Sequence, residues 1–398
     1  MKEGLVLVGG ARTPMAEYNG HLAHLSAVDL GVHAAKAAFE RSGVSPAQVD
    51  HVVFGNVLQT GNDAIYLTRH IGLKSGVPVE VPALTVNRLC GSGFQSLVSG
   101  AHQILLGEAS VVLCGGTESM SNAPYVVRGA RQGLRLGHVP FVDTLMESLR
   151  DPYCDLPMAV TAENLAERYG ISREEQDRLA LRSQRRAEEA YRAGRLQEEI
   201  APILLEDRKK GTFSFGEDTH RKPETTLEAL ARLRPVFRKD GTVTGGNASG
   251  IVDGAAALIL AREDRARAEG WPVLGYLRAW SYAAVPPEIM GFGPVPAIRK
   301  ILKAEGLSLS DVGLFEVNEA FAAQYLACEK ELGLDPDRTN VNGGAVALGH
   351  PLGATGTRLT LTLLLEMRRR KTRFGIASAC IGGGQGMAVL LEIGDSAP

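Results

Sequence analysis

Val86-Asn-Arg-Leu-Cys-Gly-Ser-Gly93 separates two unlike neighbours, and its reading decides the fold. Before it, Pro82 to Val86 is a short apolar run; after it, Phe94 to Leu106 places apolar residues at helical spacing. Cys90 therefore falls in a strand-to-helix turn. The first N–H groups of such a helix lack intrahelical partners and carry partial positive charge, which favours a thiolate and can hold an oxyanion. Gly91 and Gly93 let another group approach the backbone closely. The same residues also suit a small buried thiol with no chemical role, as most intracellular cysteines are.

The helix that follows is itself informative. From Leu89 to Gly107 there is no Asp, Glu, Lys or Arg, and Val341 to Thr357 is a second such stretch. Each is rich in Gly, Ser, Asn, Gln, His or Thr, unlike a membrane span. A helix without a charged face must be covered by protein on all sides. Two such helices predict a middle layer held between sheets.

Further out, Gly4 to Gly10 reads as a buried strand with no basic leader before it, so a cytoplasmic location is expected. Ser26 and Asp29 mark a helix start, with Gly43 beyond its end near Arg41. A loop and short helical turn then lead into the strand before Asn56, and Ala109 to Cys114 is another strand. This alternation predicts α/β architecture with a mostly parallel sheet. From about Asn122 to Gly246 the strand signal fades and charge rises, with Arg128, Arg131, Arg135 and the run Arg208-Lys209-Lys210. Ser172 and Glu175 cap a long helix ending near Gly194. The segment reads as an insertion over the core.

The end of the chain repeats its beginning. Gly306 to Asn318 follows the plan of Gly43 to Gly55, Val341-Asn342 echoes Val86-Asn87, and Phe374 to Cys380 echoes Val111 to Cys114. Three echoes in one order imply a duplicated domain. At 398 residues the chain exceeds one ordinary core. Lys plus Arg is 43 and Asp plus Glu 45, so no global charge draws it to nucleic acid, and any anion site is local. An odd count of five cysteines argues against a disulfide framework, and no metal-ligand spacing is present.

Chemistry-bearing residues fall in four loops: Cys90, Asn318-Glu-Ala-Phe321, Gly349-His-Pro-Leu-Gly353 and Cys380-Ile-Gly-Gly-Gly384. In open α/β sheets such loops gather at the carboxyl edge. His350 stands alone in an uncharged Gly-rich stretch; it reads as a satisfied core residue by itself and as a base beside a cysteine. The glycines after Cys380 can make a tight turn or present N–H groups to an oxyanion.

Asn87 to Ser96, Gly115-Gly-Thr-Glu-Ser-Met-Ser121, Gly246-Asn-Ala-Ser-Gly250, Asn318 to Phe321, Asn342 to Pro351 and Cys380 to Gly386 together resemble the thiolases, over essentially the whole chain. Asn56 to Gln59, Asp63 to Leu67 and Leu156 to Ala159 resemble the mitochondrial-type 3-ketoacyl-CoA branch, and Pro157 stands where many short-chain relatives have His. The resemblance implies two similar halves in a five-layered α-β-α-β-α core with an inserted loop domain. The boundaries would be 1–121 and 247–271 for the first half, 122–246 for the insertion and 272–398 for the second half.

The resemblance also implies Cys90 as nucleophile, His350 as its activating partner, Cys380 as acid/base, and Asn318 holding a water that lines one oxyanion site with His350. The N–H groups of Cys90 and Gly382 would line the other. Lys222, Thr225 and Ser249 would contact coenzyme A, with Arg221 beside a lysine where many relatives carry Arg. The reaction implied is exchange of an acyl group between 3-ketoacyl-CoA and coenzyme A through a cysteine thioester, or acetoacetyl-CoA formation in reverse. A non-catalytic acyl-CoA-binding scaffold is the alternative from another class. No metal or redox cofactor, nucleic acid or membrane partner is expected, and a homodimer or homotetramer is.

Overall fold

The computed structural model describes residues 4–207 and 211–394; the basic run Arg208-Lys209-Lys210 lies outside them. In chain order the first half contributes β1 (Leu5–Arg12), α1 (Ala27–Ser42), β2 (His51–Gly55), β3 (Ala83–Val86), α2 (Ser92–Leu105), β4 (Val111–Glu118) and, after the insertion, β5 (Val252–Arg262). Within the insertion lie α3 (Met158–Tyr169) and α4 (Arg173–Arg192). The second half contributes β6 (Gly275–Ala284), α5 (Pro294–Glu305), β7 (Leu314–Val317), α6 (Ala322–Leu332), α7 (Thr355–Arg370), β8 (Phe374–Ile381) and β9 (Gln385–Glu392).

Local sequence explains many of the ends. Ser26 and Asp29 form a reciprocal capping box on α1, and Gly43 closes it at φ 70°. Ser172 and Glu175 do the same for α4, with Gly194 in the left-handed region just past its end.

The strands line up as β7-β8-β9-β6-β1-β5-β4-β2-β3. Duplication is plain in this order. In each half a parallel outer pair, β2 with β4 or β7 with β8, is followed by two antiparallel steps inward. The expectation of a mostly parallel sheet is corrected: β9 returns beside β8 as a hairpin and β5 comes back beside β4 after the insertion, each running against its neighbour, so the inner pairs are antiparallel. The halves join where β1 meets β6, through Val6–Tyr276 and Leu7–Gly275.

Period-two alternation assigns each strand face to a layer. On β5, Ala257 and Ile259 pack with α1, whereas Leu258 and Leu260 face inward toward α2 and α7. On β9, Ala388 and Leu390 join α5 and α6, whereas Met387 and Val389 face inward. The result is helix, sheet, paired central helices, sheet, helix. One expectation shifts here. The second uncharged stretch is not itself the central helix; Gly343 at φ 84°, Gly349 at φ 92° and Pro351 break it into a short helix and a turn. The central helix is α7, which begins at Thr355 and carries buried Arg358.

The two central helices meet at their first turns through glycines. A methyl on Gly93 would lie 2.5 Å from the Thr357 nitrogen, and one on Gly356 would lie 2.2 Å from the Phe94 nitrogen. Thr357 Oγ1 donates to the Gly93 carbonyl across the contact at 3.1 Å. Neither neighbour can yield, because both are backbone atoms. Gly356→Ala should therefore destabilise the fold by roughly 1–3 kcal/mol or more, the usual cost of overpacking, read from urea unfolding midpoints. Gly245→Ala, at an exposed site with open space around it, should stay within about 0.5 kcal/mol.

Candidate active site

Cys90 occupies the turn between β3 and α2. Leu89, just before it, is held at φ 47°, a conformation that costs a branched residue about 1–2 kcal/mol. The surrounding hydrogen bonds hold it there. Asn87 Oδ1 accepts the Leu89 N–H at 2.9 Å, Ser92 Oγ donates to the Leu89 carbonyl at 2.7 Å and accepts the Arg88 N–H at 2.8 Å. Cys90 is thus presented directly before the first turn of α2, partly covered and packed against Leu58, Met120, Leu145 and Leu352.

The β8–β9 hairpin brings the second cysteine. Cys380 is fully buried near the end of β8, against Met290 and Ala320 with Met158 and Phe321 alongside. Gly382 follows, and its N–H, like that of Cys90 itself, lies near enough to the Cys90 sulfur to favour its ionisation. The Cys90 thiol is close enough to oppose the ionisation of Cys380.

His350 reaches the same place from the turn before α7. That turn lies on the carboxyl ends of the first half's strands: a methyl on Gly353 would meet the Gly55 and Thr117 carbonyls at 2.8 Å. The His350 N–H donates to the Gly250 carbonyl at 3.0 Å, tying it to the Gly246–Gly250 motif. Thr355 Oγ1 donates to the Pro351 carbonyl, so its 2.6 Å contact with His350 Nδ1 requires the ring proton to sit on Nδ1. Nε2 is then the free base, 3.4 Å from Asn318 Nδ2. Asn318 Oδ1 is buried without a protein donor, an acceptor on offer to a water or a substrate hydroxyl.

Burial keeps this set neutral. It pushes the Cys90 thiol up to about 11, against the Gly382 and Cys90 N–H groups, and Glu118 adds to the rise. It pushes His350 down to about 3, helped by the buried cation Arg358, and lifts Cys380 well above the usual thiol range. The expectation that the helix start would enrich the resting thiolate is corrected: desolvation outweighs two N–H donors. The pair rests as thiol and imidazole.

A mostly apolar cavity of about 540 Å³ reaches this set at His350, with Met146, Leu149, Met158 and Leu352 among its walls and Ser249 and Phe321 also lining it. Of the residues assigned to coenzyme A, Ser249 lines it directly, and its N–H donates to the Ala320 carbonyl at 3.0 Å. The His220 ring covers Gly250. Two residues on, Lys222 is half exposed, 2.8 Å from Glu17 Oε1, and Thr225 Oγ1 donates to the Lys222 carbonyl at 2.7 Å. Arg221 points elsewhere: its guanidinium is buried on the Tyr191 ring and paired with Glu188 and Glu217, so it is not brought to the cavity. Sequence reasoning passed over Thr355, Ser92 and Glu118. Glu118 stood inside a quoted motif, but only its long-range partners show what it does.

Comparison with known proteins agrees with this geometry. Residues 5–264 match the family model described as thiolase, N-terminal domain, and residues 271–393 that of the thiolase C-terminal domain. The chain is 54% identical over 98% of both chains to a human protein named 3-ketoacyl-CoA thiolase, mitochondrial, and 48% identical to an acetyl-CoA acetyltransferase of Pseudomonas aeruginosa, covering 98% of this chain and 99% of that one. The human mitochondrial 3-ketoacyl-CoA thiolase in complex with CoA superposes with a TM-score of 0.95 at 53% identity, covering 98% of each chain. The word mitochondrial in the human relative's name overturns the expected cytoplasmic location.

The low pKa of His350 has a measurable consequence. Its folded value, about 3, lies below the ordinary 6.5. Between those values the unfolded chain binds a proton there and the native chain does not, so this contribution to stability is lost as pH falls from about 6.5 toward 3. The slope is at most about 1.4 kcal/mol per pH unit. Glu118, raised to about 7, acts oppositely but is common to both proteins compared. His350→Asn should flatten the fall in urea stability between about pH 4 and 6 relative to the parent; parallel curves would mean His350 is not held neutral.

Proposed function

Because the chain belongs to the thiolase family, we propose that Cys90 carries the acyl group, His350 is its base and Cys380 moves the proton at the acetyl carbon. The chain is an acyltransferase that cleaves 3-ketoacyl-CoA with coenzyme A, giving acetyl-CoA and a shortened acyl-CoA. The observation that carries the residue roles is the convergence of four loops: Gly382 with its N–H near the Cys90 sulfur, Cys380 beside that sulfur, and His350 Nε2 facing Asn318.

In thiolysis, the Cys90 sulfur attacks the 3-keto carbon as His350 Nε2 takes its proton. Nε2 thereby turns from acceptor to donor and can share, with a water held by Asn318, one of the oxyanions that form. The N–H groups of Cys90 and Gly382, already near the sulfur, line the other. Each such donor is worth roughly 3 kcal/mol in the transition state. The carbon–carbon bond then breaks, its electron pair leaving with the acetyl-CoA enolate. Cys380, kept protonated by burial, gives that carbon its proton. Coenzyme A enters, its sulfur displaces Cys90 from the thioester, its proton restores Cys380, and His350 Nε2 returns its proton to the departing Cys90 sulfur. No step calls for a metal or redox cofactor. Run backward, the same groups condense two acetyl units.

The apolar cavity, with Pro157 and Met158 in its wall, supports 3-ketoacyl chains longer than acetoacetyl as substrates in the degradative direction. Among the described residues strand β3 ends the sheet with one edge unpaired, and Leu84 and Ile65 are exposed beside it, which supports assembly as a homodimer or homotetramer.

Mass mapping after incubation with acetyl-CoA should place the acetyl group on Cys90; finding it only on Cys114, Cys154 or Cys328 would remove the assignment. Folded Cys380→Ala should still acetylate at Cys90 while thiolysis falls at least about a hundredfold, and near-normal turnover would refute the acid/base role. Lys222→Ala should raise the KM for coenzyme A more than that for a pantetheine thiol lacking the nucleotide; equal effects would take Lys222 away from the phosphates.

A further inference from the structure

Glu118 ends β4, is fully buried, and takes no part in the mechanism above. Its two oxygens accept four N–H groups: Oε1 from Asn56 Nδ2 at 3.0 Å and Leu58 N at 2.9 Å, Oε2 from Val57 N at 3.1 Å and Gly353 N at 2.8 Å. Three of these donors belong to the loop after β2, whose Val57 and Leu58 pack with Cys90. The fourth lies three residues past His350. One carboxylate therefore joins the wall behind the nucleophile to the turn that carries the base, and no Lys or Arg takes part.

We propose that Glu118 is a positioning residue for acyl transfer, holding the His350 turn in register with Cys90 through the Gly353 N–H; this rests on the reading of Cys90 as nucleophile and His350 as base. Four donors aimed at two oxygens call for the charged form, since a carboxyl proton would meet an N–H head-on. Burial opposes that charge and the N–H groups of Leu58, Gly353 and Val57 restore it, with the balance near 7. The charge is also felt at Cys90, whose ionisation it disfavours. Titratable groups set around that sulfur are Glu118 from β4, Cys380 from β8 and, on the proposed mechanism, His350 from the turn before α7.

The test uses Glu118→Gln and Glu118→Asp in the full chain, with kcat for acetoacetyl-CoA thiolysis, KM for coenzyme A, and the pH midpoint of Cys90 alkylation by iodoacetamide. Glu118→Gln places an NH2 against N–H donors and removes the charge. It should lower kcat about tenfold to a hundredfold, the scale of a charge-assisted hydrogen bond, with KM within about twofold and the alkylation midpoint moved to lower pH. Glu118→Asp keeps the charge but stops short of Gly353, so kcat should fall by about threefold to tenfold, the scale of one lost hydrogen bond, with the midpoint near that of the parent. A purely structural glutamate would lose activity only with folded fraction and leave the midpoint unmoved in Glu118→Gln, and that result overturns the proposal. If the Gln variant does not fold, Glu118→Asp decides: kcat equal to the parent's overturns it. Acetyl mapping run alongside separates the two readings, because an acetyl group absent from Cys90 in the parent indicts the nucleophile, whereas normal turnover in the variants with Cys90 acetylated indicts Glu118 alone.

Discussion

The contact of Gly93 with Gly356 is the constraint on which the rest of the molecule depends. Each half of the chain builds one sheet and one helix that must be covered all round, and the two helices cover each other at the centre. They can approach to backbone distance only where neither has a side chain. That closest point falls at both helix starts, so the turns feeding the helices are brought together. Cys90 lies in one turn and His350 in the other. A packing requirement of the core thus becomes the address of the site.

What the site gains from this placement is dryness more than charge. Cys90 and His350 rest neutral because desolvation exceeds what a few N–H groups return. On the proposed mechanism, ionisation is deferred to the moment of attack, when proton transfer within the pair and preorganised donors share its cost. A protonated resting thiol is also a poor target for oxidation, since thiolate character governs that chemistry.

The insertion is bound to this core by buried polar links. Arg12 at the end of β1 makes a bidentate pair with Asp218 and reaches Glu199, which accepts from Thr362 on α7. Ser183 on α4 donates to Glu319, beside Asn318, and accepts the Gly344 N–H. Breaking one partner of such a pair strands the other in a dry interior, which makes these links costly to lose. They tie the insertion to β1, α7 and the segment around Glu319, while the exposed pairs of α4, such as Arg178 with Glu174, contribute little.

Sequence alone determined the features that depend on near neighbours. The strand-to-helix turn at Cys90, the capping boxes at Ser26 and Ser172, the αL glycines, the repeated plan of the two halves and the four loops carrying chemistry are all written within short windows. Hydrogen-bond geometry and side-chain period act over a few residues there. Tertiary structure alone decided the rest. Antiparallel return of β5 and β9, the seam between β1 and β6, and the break that puts the second central helix at Thr355 depend on pairings across the fold. So do the Nδ1–H form of His350 set by Thr355, the diversion of Arg221 to Glu188, and the four donors gathered on Glu118. The physical reason is the same in each case: a charge, a proton or a strand edge is settled by whichever partner is buried beside it, and that partner comes from a distant part of the chain.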